Sequence, residues 1–224
     1  MKNRPKPRLF EVTTKDLDGL PDSRGSSVRS MLSSDHGIYV ERVRVILSYK
    51  VIAELTDKEA QFLIYDLFAD PVIESASLDS RILDTFEIPP ETAIQIGFKP
   101  GVTDNPGQAG LDGLKTLFPE LSEAKVATFK TYAFWGLSEE ATPEKLASIL
   151  HNPMIERAAV SGSHDCSQGS WPNLEFPEQP SAIFQKPTTV DLDVSDEELL
   201  IISEKGLLAL NLEEMKAIQA HYSD

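Results

Sequence analysis

The chain is poor in the residues that build the commonest chemical sites. It has one cysteine, Cys166, so no internal disulfide can form; that usage fits a reducing compartment. Its four histidines, His36, His151, His164 and His221, are scattered. None has a second ligand three or four residues on, so the spacing gives no sign of a metal site. No apolar run is long enough to span a bilayer, and the first thirty residues lack the apolar core of a signal peptide. Positive charge is also scarce: 21 Lys and Arg against 36 Asp and Glu leave a net charge of −15. A nucleic-acid surface needs a basic stripe to release counterions from phosphates. Only the start of the chain is locally basic (Lys2, Arg4, Lys6, Arg8), and it reads as a solvated end. The expectation is a soluble, cytoplasmic protein with neither nucleic-acid nor membrane partners.

What is present is a repeat. Residues around 10–78 and 92–160 align at a separation of 82. Asp22 falls on Asp104, Gly19 and Gly25 on Gly101 and Gly107, and Leu32 on Leu114. The run from Pro71 to Ala76 falls on the run from Pro153 to Ala158. This predicts two copies of one module of roughly 75 residues, a size at which a lone core is marginal. The copies should bury a face against each other as an intramolecular pseudo-dimer.

Each copy reads as strand, helix, strand, strand, helix, strand. In the first, residues 9–14 alternate, and Asp22-Ser23-Arg24-Gly25 leads into a helix near residues 25–33. Residues 40–55 are rich in β-branched side chains and long for one strand, which predicts a tight hairpin turning near residues 48–50. Thr56 and Glu59 form a capping box, Asp70-Pro71 stops the helix, and a last strand covers 72–78. In the second copy, residues 93–98, a helix opening at Pro106-Gly107, a hairpin over 125–137, a helix from Thr142-Pro143 and a strand over 154–160 follow the same order. Residues 161–187 are rich in Gly, Ser, Pro, Asn and Gln, and read as a linker anchored by Trp171, Phe176 and Phe184. Capping boxes at Ser195 and Asn211 begin two short terminal helices. The predicted fold is α+β, a tandem pair of units related to the ferredoxin-like arrangement. The boundaries are 1–90, 91–165, a linker over 166–190 and a helical segment over 191–224.

Candidate sites are sparse. His164 and Cys166 lie close in sequence, but a nucleophile and its base are brought together by a fold, not by chain neighbours. Gly107, Gly110 and Gly113 resemble a phosphate loop only in spacing; the last two fall within a helix, where close packing against the other copy accounts for them. The aromatics from Tyr132 to Trp135 have no basic residues interleaved among them and read as core or interface. No paired carboxylates, triad or metal-ligand spacing emerges. The residues alone indicate a non-catalytic duplicated domain, with catalytic, cofactor-binding and metal sites all expected to be none.

The turns carry a resemblance. Each copy resembles the small PurS subunit of phosphoribosylformylglycinamidine synthase, in which a strand meets an Asp-Pro-x-Gly turn and a later helix exits through Asn-x-Val-Ile-Glu. Here the turn stands as Asp22-Ser23-Arg24-Gly25 and Asp104-Asn105-Pro106-Gly107. The exit stands as Asp70-Pro71-Val72-Ile73-Glu74 and Asn152-Pro153-Met154-Ile155-Glu156. The tail over 206–219 is similar to the segment that joins the PurS-like region to the synthetase in larger forms of the enzyme. Gly25, Gly107, Pro71 and Pro153 are then the structural turn residues.

The resemblance implies a non-catalytic part in de novo purine biosynthesis, bridging synthetase and glutaminase and supporting ammonia transfer between them. Those two subunits or domains are the implied partners. ATP and Mg are expected in the partner synthetase, and no cofactor in this chain. Trp171, Phe176 and Phe184 are candidate partner contacts, as large aromatics in a polar segment. The alternative is a tandem ACT-like regulatory module binding a small molecule between its copies.

Overall fold

The computed structural model describes residues 7–15, 22–178, 189–206 and 208–222. Residues 1–180 form one compact unit and residues 181–224 a second. Among the described residues, no helix is long and apolar enough to cross a membrane.

The first unit is α+β and built on one antiparallel sheet. Its strands are β1 (Arg8–Thr14), β2 (Val40–Ile52), β3 (Glu74–Leu78), β4 (Thr92–Phe98), β5 (Lys125–Leu137) and β6 (Glu156–Ser161). They lie in the order β3-β1-β2-β5-β4-β6. Each half contributes three neighbouring strands, and the order reads the same from both edges when the halves are exchanged. Helices α1 (Ser23–His36), α2 (Asp57–Leu63), α3 (Asn105–Leu117) and α4 (Pro143–Leu150) connect the strands. A five-residue helix, α5 (Ser163–Ser167), follows β6.

The two predicted hairpins are not formed. β2 and β5 each run unbroken for 13 residues, and they pair along their length from Val40–Leu137 to Ile52–Lys125. Ser48 and Lys50 sit in mid-strand, opposite Phe129 and Ala127. Tight hairpins need residues that accept positive φ, chiefly Gly, Asn or Asp. Neither strand has one at its middle; Gly136, near the end of β5, is the first. The edge a hairpin would have covered is taken by the long strand of the other half.

The constant separation of 82 is also corrected. It holds at the caps Asp22 and Asp104 and at Glu74 and Glu156. It becomes 84 at Lys15 and Lys99, whose N–H groups donate to Ile73 and Ile155. It is 83 at Tyr49 and Tyr132, which pair with Phe10 and Ile94. It reaches 86 at the N-caps Thr56 and Thr142. The first half then recovers four residues, because α2 continues through a π-helical turn at Ile64–Phe68 while α4 stops after eight. The Ala69 N–H reaches back five residues to the Ile64 carbonyl, the wide ladder of a π-turn.

Both predicted exit strands start late. Asp70 Oδ1 accepts the Val72 N–H at 2.8 Å, and Asn152 Oδ1 accepts the Met154 N–H at 3.0 Å. These side-chain turns hold residues 71–73 and 153–155 out of the ladder, so pairing begins at Glu74 and Glu156.

Helices α1 to α4 cover one face in two clusters, and each cluster mixes the halves. Phe10, Leu63 and Phe68 of the first half pack with Leu114 of the second. Leu32 and Val43 of the first pack with Ile94, Phe134 and Leu146 of the second. A buried Leu or Phe contributes about 1.5–3 kcal/mol. Leu32 and Leu114 are both fully buried, so either half alone would lose several such contributions. Gly110 and Gly113 make the close approach of α3 possible. A Cβ at Gly110 would stand 3.4 Å from Phe68, and one at Gly113 only 2.4 Å from Leu67.

The second unit is a helical hairpin of α6 (Asp196–Lys205) and α7 (Leu212–His221). Both begin with full capping boxes, Ser195 with Glu198 and Asn211 with Glu214. The Ser203 hydroxyl closes the turn between them, donating to the Leu210 carbonyl and accepting the Leu210 N–H.

Candidate functional site

The two helix-opening turns are built alike and packed differently. Asp22 accepts the Gly25 N–H at 3.2 Å, and Asp104 accepts the Gly107 N–H at 2.7 Å. Such caps satisfy backbone donors that the helix leaves unpaired. Asp104 also takes the Thr128 N–H and hydroxyl, each at 2.7 Å, which pins α3 to β5. Asp22 instead faces Arg44 at 3.5 Å. A Cβ at Gly25 would fall 2.1 Å from the Val43 carbonyl oxygen, while the three atoms nearest to one at Gly107 would all belong to the Asp104 carboxylate. A shallow cavity of about 180 Å³ opens beside Gly25, lined by Asp22, Arg29 and Arg44 among others.

The exit turns place Pro71 and Pro153 in equivalent surroundings. Lys15 donates to the Pro71 carbonyl and Lys99 to the Pro153 carbonyl. Glu74 accepts the Asp70 N–H at 2.8 Å and Glu156 the Asn152 N–H at 2.7 Å. Glu74 also pairs with Arg24 at 2.6 Å. The tips beyond these turns are apolar and exposed: Val72 is 72 % accessible and Met154 81 %.

The other face of the sheet holds the densest chemistry in the described residues. At one end Ile46, Ala93, Ala133, Trp135 and Cys166 form an apolar cluster under Ile82 and Leu83. At the other end the strands present buried polar side chains. Glu11 and Ser48 lie opposite each other, and Ser48 donates to Glu11 at 3.2 Å. The other Glu11 oxygen accepts the Ile82 N–H at 2.7 Å, and Arg81 stands 3.2 Å away as an ion pair. Gln95 donates to Thr131 at 3.2 Å. Burial pushes the Glu11 carboxyl above the ordinary carboxylate range, against the opposing pull of Arg81. Burial lowers the Lys50 ammonium, and Arg81 lowers it further.

An extended segment crosses this polar end. Lys50 donates to Asn173 Oδ1 at 2.8 Å and to the Leu174 carbonyl at 2.6 Å, with its cation 4.9 Å from the Phe129 ring centre. Gln95 Oε1 accepts the Leu174 N–H at 2.7 Å. Arg81 donates to the Pro172 carbonyl at 3.0 Å, and Arg157 to the Glu175 carbonyl.

Of the candidate contact aromatics, Trp171 packs against the apolar cluster and donates its indole N–H to Asp84 at 2.6 Å. Phe176 is half-buried at the far end of the segment. Phe184 lies outside the described residues. His164 and Cys166 are not brought together. His164 is exposed, whereas Cys166 is buried and directs its thiol at the Ser161 carbonyl. Burial raises the thiol's pKa, the reverse of nucleophile activation. Among the described residues, no three His, Cys, Asp or Glu side chains are grouped to hold a metal ion.

Sequence reasoning missed the polar face. Its residues come from β1, β2, β4 and β5, each at alternate positions of a strand, and no local motif marks them. A signal was present in β2, where Ser48 and Lys50 occupy alternate positions facing away from helices α1 to α4. A scan against models of known protein families finds no match, and neither does a search of curated proteins.

Proposed function

We propose that this chain is a non-catalytic, PurS-like component of phosphoribosylformylglycinamidine synthase, bridging the synthetase and glutaminase parts and supporting ammonia transfer. The observation that carries the reading is the paired construction of the turns. Both halves open a helix on Asp-x-x-Gly with the Asp capping the Gly N–H. Both leave a later helix through Asp/Asn-Pro-x-Ile-Glu, with the same three contacts to the Asp/Asn side chain, its N–H and the Pro carbonyl.

A bridging role asks for rigidity and for partner-facing surface. Rigidity follows from a single sheet whose two central strands pair over 12 positions. Partner-facing surface is offered by the exposed tips at Val72 and Met154 and by Phe176. The test is assembly. Mixed with a synthetase lacking a PurS-like region and with the glutaminase, the chain should co-elute as a ternary complex, and Phe176→Ala should weaken it. Elution of all three as separate species would sink the reading.

A further inference from the structure

The polar end of the second sheet face has an unusual composition for a covered surface. Buried polar groups give up water and regain at best equivalent partners, so a face that stays covered is most stable when apolar. Glu11, Ser48, Lys50, Gln95 and Thr131 are all under 10 % exposed. The opposite face of the same strands carries Phe10, Val12, Val51 and Ile94. Where sequence breaks the rule for a core, function is the common reason.

The cover is anchored at one end by the Trp171 side chain in the apolar cluster, and beyond it is held mainly by its main chain. Lys50 and Gln95 between them take the carbonyl and the N–H of Leu174. Arg81 takes the Pro172 carbonyl and Arg157 the Glu175 carbonyl. Only two side chains of the segment are read by hydrogen bonds, Asn173 by Lys50 and Trp171 by Asp84. Main-chain recognition of this kind accepts extended polypeptide with limited regard to sequence. Gly97 leaves room for the Phe129 ring, which a Cβ there would meet at 2.5 Å; the same Cβ would stand in ordinary contact with Leu174, at 3.5 Å. When such a segment leaves, the groups beneath it regain water, so its departure is far less costly than from an apolar face.

We propose that this face is a groove for extended polypeptide, that the chain fills it with its own residues 172–175, and that this strap lifts off as a unit while Trp171 stays packed in the apolar cluster and the sheet stays folded. The strap then competes with any extended peptide presented by another chain.

Hydrogen exchange on the full chain tests the lifting. The Leu174 amide should exchange at least about 100-fold faster than the amides of β2 and β5, as a locally opening segment does. Lys50→Met, which keeps the side-chain bulk and removes two hydrogen bonds, should speed Leu174 at least about tenfold without changing the protection of β2 and β5. Leu174 exchanging at the rate of the central strands would overturn the proposal. The groove is tested with a full-length variant whose residues 172–176 are replaced by Gly and Ser, with Trp171 kept. A labelled synthetic peptide of sequence 168–178 should bind this variant saturably and leave the unaltered protein alone. Absence of binding, or failure of the variant to fold, would show the strap to be a fixed part of the core and end the idea.

Discussion

Leu47 and Lys130 stand directly opposite each other where the two long strands pair, and they are the equivalent residues of the two halves. Leu47 has Val12 on its other side, and Lys130 has Ile96. A residue that pairs with its own counterpart marks a local twofold relation between the strands. The pair has diverged in chemistry, one side chain half-buried and apolar, the other exposed and charged.

The unbroken course of β2 predicts the effect of Ser48→Pro. Proline in a central strand removes a ladder hydrogen bond and is normally confined to edges or turns. The variant should lose about 3 kcal/mol or more, read by urea denaturation. A hairpin turning at residues 48–50 would tolerate the change, and an unaltered midpoint would contradict the observed pairing.

The two helix-opening glycines should respond unequally. Gly25→Ala drives a methyl onto the Val43 carbonyl, which is backbone and cannot turn aside. Gly107→Ala meets a carboxylate that can rotate away at the expense of its cap. The first should cost about 2–3 kcal/mol, and the second about 1 kcal/mol. Equal losses in matched chemical melts would contradict this packing.

Glu11 gives a pH signature opposite to the usual acid denaturation. Its folded pKa is raised above 4.5, so the folded state holds the proton more tightly than the unfolded state. Its stabilising contribution is full below about 4.5 and is lost as pH rises through the raised value. Stability of the wild type relative to Glu11→Gln should therefore fall with rising pH across that window. Paired melts from pH 4 upward measure the slope, whose sign does not depend on any constant cost of the substitution. A rising difference would mean that Arg81 dominates burial.

Cys166 should be unreactive in the folded protein. It is 1 % exposed with a raised pKa, and the thiolate is the reacting form. Modification by an aromatic disulfide reagent at pH 8 should be at least about 100-fold slower than in denaturant. Rapid reaction would place the thiol on the surface.

Much of the fold was legible in the sequence. The capping boxes at Thr56, Ser195 and Asn211, the turns at Asp22 and Asp104 and the helix stops at Asp70 and Asn152 are local, and local chemistry decided them. The long strands are not legible in this way, because 13 extended residues exceed the usual strand and length alone suggests a turn. No residue near 48–50 could make one, and only the pairing of β2 with β5 explains why 13 residues stay extended. The π-turn at Ile64–Phe68 was hidden because an ungapped alignment of the two copies has no place for it. The polar face escaped notice because it is assembled from four strands distant in sequence, and its cover lies in a stretch whose composition reads as linker.

The most direct test of the account is glutamine-dependent synthesis of formylglycinamidine ribonucleotide by a synthetase without its PurS-like region, together with the glutaminase, assayed with and without this chain. The account predicts that glutamine-driven turnover appears only when the chain is added, while turnover driven by free ammonia needs the synthetase alone. Equal glutamine-driven rates in its presence and absence would contradict it.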